Sequence, residues 1–185
     1  MWRSCAKLLE AACLAAMPAL ALAEPLVSPA DVLDAVSADW SGDGRPDRAV
    51  LVAGAIDADL YLYIADDEGM TLAAHAPGLA WSGRMAGTLP RLELTERGAL
   101  QVISENAAIG RYRWERRLTL LYREGRFVVG GVTLTGYDTL ELGSRYACDL
   151  NLFTGRGVAN GKDFTSERRA EPVTTWDNAP VCPGR

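Results

Sequence analysis

The sequence predicts a mainly β domain: an antiparallel meander, sandwich or partial propeller, with one short N-terminal helix. Two observations predict it. Apolar and polar residues alternate over short runs, the period of half-buried strands. Turn residues interrupt those runs at a spacing of about eight to twelve residues, as in all-β domains. No segment recurs with a period of about 20–50 residues, which excludes a full repeat array.

The first stretch is an address. Arg3 and Lys7 precede an apolar run over 11–22, and Ala21, Leu22 and Ala23 form a small-x-small site before Glu24 and Pro25. That is the layout of a secretory signal peptide over 1–23. The run is broken by Pro18 and falls short of the roughly 20 apolar residues that span a bilayer. Cys13 lacks a lipobox, since Glu10 stands where an aliphatic residue is needed. The rest reads as one β domain over 24–154, followed by a Gly-rich tail over 155–185. No internal linker divides it, and it is long enough to bury a core.

Charge and cysteines narrow the partners. The chain carries a net −5, and losing Arg3, Lys7 and Glu10 with the leader makes the exported chain still more acidic. Such a domain is a poor match to nucleic acid or to an anionic membrane. Cys5 and Cys13 lie in the leader, which leaves Cys148 and Cys182. Exported to the periplasm or beyond, these two are expected to pair and to pin the tail to the body.

Along the chain, Ser28 can cap a short helix over 28–36, with Pro29 at its first position and Asp31 at its positive end. Residues 49–53 are apolar without interruption, the mark of a central strand. Leu60, Leu62 and Ile64 alternate with Tyr61 and Tyr63. Asp66 to Gly69 read as a turn before a strand over 70–75. Strands follow over 91–95, 99–104 and 111–122, and Glu124-Gly125 closes a tight hairpin into 126–133. Strands over 134–142 and 146–153 complete the sheet, and the tail beyond Thr154 reads as coil.

Between the helix and the first core strand lies an acidic loop, 39–47. It fits D-x-[DNS]-x-D-G-x-x-D. Calcium is a hard ion that takes six to eight oxygens. Asp39, Ser41 and Asp43 offer side-chain oxygens at alternate positions, Arg45 offers its carbonyl, Gly44 permits the sharp turn, and Asp47 closes the ring directly or through water. An EF-hand would place Glu at the twelfth position, where this chain has Val50.

The loop and the apolar strand after it resemble the calcium loop of FG-GAP/VCBS-type repeats, as in integrin-like β-propellers. The resemblance covers about fifteen residues and implies the same five ligands: Asp39, Ser41, Asp43, Arg45 through its carbonyl, and Asp47. Ser41 replaces the usual Asn or Asp, and one copy stands in place of the several blades of a propeller. The C-terminal half, with residues 122–130 and 151–155, looks like small secreted bacterial proteins, which implies a secreted β domain.

Other constellations are sparse. His75 is the sole histidine and falls in a short apolar strand, and no motif sets a serine beside it. Residues 155–162 lack the glycine and the Ser or Thr of a phosphate loop. Arg111, Arg113 and Arg117 share one face of a strand with Glu115, a solvated face or an anion or partner site, while Tyr112 and Trp114 take the other. Arg116 belongs to the same basic stretch. Asp138, Glu141 and Asp149 are carboxylates that a glycosidase could pair. The expected function is therefore an exported, non-enzymatic binding or interaction module for a protein or glycan, holding a structural calcium. The alternatives are an inhibitor of a secreted hydrolase, entering a cleft with loop 106–111, and a calcium-assisted hydrolase.

Overall fold

The computed structural model describes residues 27–141 and 143–183. The signal peptide expected over 1–23 lies outside them. The first departure is the expected helix. Pro29–Asp31 form a single 3-10 turn with no side-chain cap from Ser28, and the chain then enters strand β1 (Val32–Ala38). Val32 and Val36 are stiff at χ1 and favour extended backbone, and a helix this short is marginal without tertiary support. A bulge between Val32 and Asp34 interrupts the alternation. Leu33 and Val36, three residues apart, can therefore both pack on the core. That spacing is what imitates a helix in the sequence.

Two antiparallel sheets follow. The first has the order β1-β2-β3-β4, with β2 (Asp47–Ala53), β3 (Ala58–Asp66) and β4 (Gly69–Ala80). The second contains β5 (Arg91–Leu94), β6 (Leu100–Asn106), β7 (Tyr112–Arg123), β8 (Arg126–Asp138), β9 (Arg145–Asn151), β10 (Arg156–Ala159) and β11 (Lys162–Thr165). These pair in simple sequence order, and β12 (Glu171–Pro172) adds to β8. Each sheet is a meander of hairpins. At Glu124-Gly125 both φ values are positive, 51° and 76°, the turn chemistry that matches strand twist.

Two further expectations change. The segments read as separate strands over 126–133 and from 134 onward are continuous through Asp138 as one strand, β8, which pairs with β7 along its length. The tail read as coil extends the sheet by the β10–β11 hairpin. Its turn is Asn160-Gly161, again with both φ values positive, and Asn-Gly is a strong hairpin signal. Gly157 lies opposite Phe164, whose ring occupies the space a Cβ would need. The glycine that suggested coil is there for close packing.

The inner faces share one core. Leu51, Leu60 and Leu62 of the first sheet join Leu100, Leu118, Leu120, Phe127 and Leu150 of the second, all at most 2% exposed. The sheets do not close into a barrel. At β1 and β5 they are joined by side chains instead: the Leu92 N–H donates to Asp34 Oδ2 at 2.7 Å, and Trp40 Nε1 donates to the Gly98 carbonyl at 3.0 Å.

Candidate functional site

The acidic loop joins β1 to β2 and is organised by its own carboxylates. Asp39 Oδ1 accepts the N–H groups of Gly42 and Asp43 at 2.7 and 3.1 Å, and its Oδ2 accepts that of Gly44 at 2.9 Å. Gly42 and Gly44 have φ of 79° and 87°, a backbone that other side chains rarely adopt. Ser41 Oγ donates to Asp39 Oδ1 at 3.3 Å. The Arg45 N–H, helped by the Arg45 guanidinium, holds the Asp43 carboxyl below its ordinary value. Arg45 also reaches Asp67 on the β3–β4 turn.

Asp47 has a different place from the rest. It is fully buried. Its Oδ2 accepts the Trp40 and Ser41 N–H groups at 2.8 and 2.9 Å, and its Oδ1 accepts that of Ala65 at 2.9 Å. Asp39 and Asp43 are exposed. Among the described residues, no three His, Cys, Asp or Glu side chains converge as a metal site. Asp39, Ser41, Asp43 and the Arg45 carbonyl are hard oxygen donors of the kind calcium takes. Asp47 also anchors the loop to β3.

The arginines expected as an anion or partner site are all engaged. Arg111 pairs with Asp138 at 2.6 Å and with Glu141 at 3.2 Å, and it holds Asp138 below the usual carboxylate range. Arg113 donates to the Gly110 carbonyl at 2.6 Å. Arg117 pairs with Glu93 and Glu115, both at 2.7 Å. Arg91 binds the same two acids and Glu105, at 3.0–3.1 Å. The outer face is thus an alternating-sign ladder. Beneath it lies Ile103, fully buried although its register partners are Arg91 and Arg117. Their aliphatic stems are placed to cover it. Asp149 accepts the Thr133 hydroxyl at 2.8 Å, away from the Arg111 pair. His75 stacks on Tyr61, with ring centroids 4.2 Å apart, and its Nε2 lies 3.4 Å from Asp59.

The inner face of the second sheet holds a feature the sequence does not announce. A cleft of about 540 Å³ lies between β7, β8 and the C-terminal segment 176–182. Trp81, Trp114 and Trp176 line it, with Leu118, Val132 and Leu134 along its floor. Trp81 and Trp114 meet at 5.1 Å, tilted by 55°. Arg116 is the one charged residue among the described residues lining the cleft. Strand parity is the available signal, since Arg116 is out of step with Arg111, Arg113 and Arg117 and in step with Trp114 and Leu118.

The C-terminal segment forms a wall of this cleft and is held to the body by Asn178 and by a disulfide. Asn178 Nδ2 donates to the Gly78 and Leu79 carbonyls at 3.4 and 3.3 Å. Trp176 Nε1 donates to Asn178 Oδ1 at 2.9 Å. The Cys148–Cys182 disulfide then ties the segment to β9, which bears out the expected pairing. Such a bond is at home in an oxidising compartment. No helix among the described residues is long and apolar enough to cross a membrane.

Comparison with protein-family models, with curated proteins and with solved structures finds no match. The functional reading therefore rests on geometry.

Proposed function

We propose that this chain is an exported, non-enzymatic binding module of the periplasm or the cell exterior, and that its ligand site is the tryptophan-lined cleft. The cleft carries this reading. It is concave, mostly apolar and provided with one charged group, the usual make-up of a small-molecule site. Its volume falls in the range of such sites, about 300–1,000 Å³. Rigid strands supply the floor and a disulfide fixes the wall. The acidic loop has a supporting role in this proposal. Calcium held by Asp39, Ser41, Asp43 and the Arg45 carbonyl would brace the β1–β2 connection, with Asp47 behind them as the anchor.

Native mass spectrometry of the protein purified from its own export compartment tests the ligand reading. A bound species that is lost in a Trp114→Ala variant supports it. The bare chain mass, together with tryptophan emission unmoved by extracts of that compartment, counts against it.

A second reading keeps one specific observation. Asn106 braces the β6–β7 loop from within, donating to the Ile109 and Tyr112 carbonyls at 2.8 and 3.1 Å and accepting the Ile109 N–H at 2.8 Å. The loop therefore presents Ile109, 43% exposed, on a preorganised frame. That suits an inhibitor of a secreted hydrolase, because rigid loops lose little entropy on binding. Inhibition of such an enzyme that is lost in an Ile109→Asp variant would support this reading, and secreted hydrolases left fully active by the wild-type chain would remove it.

A further inference from the structure

We propose that the cleft binds a small organic acid by its carboxylate, with Arg116 as the group that receives it and the three tryptophans enclosing its apolar body. This rests on the cleft being a ligand site and adds the chemical class of the ligand.

The case starts from what Arg116 lacks. Its Nη2 donates to the Leu79 carbonyl at 3.0 Å. Its Nε is buried with no hydrogen-bond partner. Among the described residues, no carboxylate lies within ion-pair distance of it. Arg91, Arg111, Arg117 and Arg169 each have at least one such partner. Burial pushes the Arg116 guanidinium down from its ordinary value, and the more distant charge of Asp57 offsets only part of that. A guanidinium stays charged in proteins, and a buried charge without a partner is costly. Proteins therefore pair such groups, and an unpaired one calls for an explanation. A carboxylate entering the cleft would supply the missing charge.

The surroundings select the ligand further. A neutral sugar needs many hydrogen-bonding groups around it. Here Asn178 is already committed to Trp176 and to the Gly78 and Leu79 carbonyls. The remaining lining is largely indole and aliphatic. Phosphate would bring several acceptors and up to two charges to a single guanidinium. A monocarboxylate with an apolar body matches one cation among indole rings. The chain is acidic overall, so no general basic field explains an anion here, and recognition must be local.

Octanoate and its neutral counterpart octanamide are the probes, titrated into the oxidised full chain with tryptophan emission and calorimetry as readouts. The expected result is octanoate binding at least about tenfold more tightly than octanamide, the size of a charge-assisted hydrogen bond. Arg116→Met, close in length, should remove that preference and keep octanamide binding. Trp114→Ala should weaken both. Equal affinity of the wild-type chain for the two probes would overturn the carboxylate proposal and leave the cleft standing as a ligand site. Failure of both probes, with no species retained from the native compartment, would overturn the cleft as well. The wild-type comparison does not depend on any variant folding. Arg116→Met is also expected to melt at or above the wild-type temperature, because it deletes a half-buried charge that has no ion-pair partner among the described residues. A marked fall would assign Arg116 a structural role and count against the proposal.

Discussion

Asp47 holds Ala65. Its carboxylate, 0% exposed, accepts the N–H of a β3 residue at 2.9 Å while its other oxygen takes the two N–H groups that start the acidic loop. One side chain thus ties a loop to a strand that begins after it in sequence. Asp47→Ala would leave three N–H groups without acceptors. The expected loss is on the order of 3 kcal/mol, a fall in melting temperature of roughly 6–12 °C for a chain of this size. Asp43→Ala, at an exposed position, should shift the melt far less. Comparable melts for the two variants would refute the anchor.

Calcium should raise the melting temperature, and Asp43→Ala should abolish that rise. Chelator titration of the wild-type chain is the control. A melt identical with and without chelator would show that the loop's own hydrogen bonds are sufficient.

The outer-face ladder predicts an acid limb. The Glu93 carboxyl is held below its ordinary value of 4.5 by its hydrogen bonds to Arg117 and Arg91. For Glu115 burial pushes upward, and Arg117 and Arg91 together outweigh it. A depressed carboxylate stabilises the fold above its unfolded value and loses that contribution as pH falls through its folded value. The loss therefore belongs below about pH 4.5. Glu93 is 41% exposed, so solvent screening holds each pair to about 0.2–1 kcal/mol. Replacing both acids by Gln should flatten the fall in melting temperature between pH 5 and pH 3. An unchanged slope would mean the ladder adds nothing to stability.

Reduction of Cys148–Cys182 should free the wall of the cleft and leave the sheets intact. The bond closes a loop of sequence separation 34, worth roughly 3–4 kcal/mol in the chain-entropy model. Limited proteolysis should then cut within 176–183, and Trp176 emission should shift to the red. The β10–β11 hairpin should stay protected, since its backbone is paired to β9. Early cleavage inside that hairpin would show that the bond supports the sheet edge too.

Much of this architecture is legible in the residues, and the misses have physical causes. The alternation of Leu60 and Leu62, the turn at Glu124-Gly125 and the disulfide can be read because each depends on local chemistry. The N-terminal helix is a misreading because a bulge gives Leu33 and Val36 a helical spacing. The tail misleads because glycine counts alike toward coil and toward close packing, and only the partner ring of Phe164 decides between them. Asp47 is inseparable from its neighbours in a motif, yet burial gives it a different task. The cleft needs contacts between Trp81, Trp114 and Trp176, which are far apart in sequence and which no local pattern brings together. Arg116 can be told apart from its neighbours by parity, although its lack of a partner cannot.

The position of the disulfide also orders events in time. Hairpins between neighbouring strands can form as soon as their residues are available, whereas the segment carrying Cys182 follows all the strands and must cross back to β9. The body can therefore be complete while the cleft still lacks a wall. A chain kept in a reducing cytosol would have its sheets and lack the bond that fixes this wall. On the reading proposed for the cleft, competence to bind would follow oxidation, so the compartment that makes the bond would also set where binding begins.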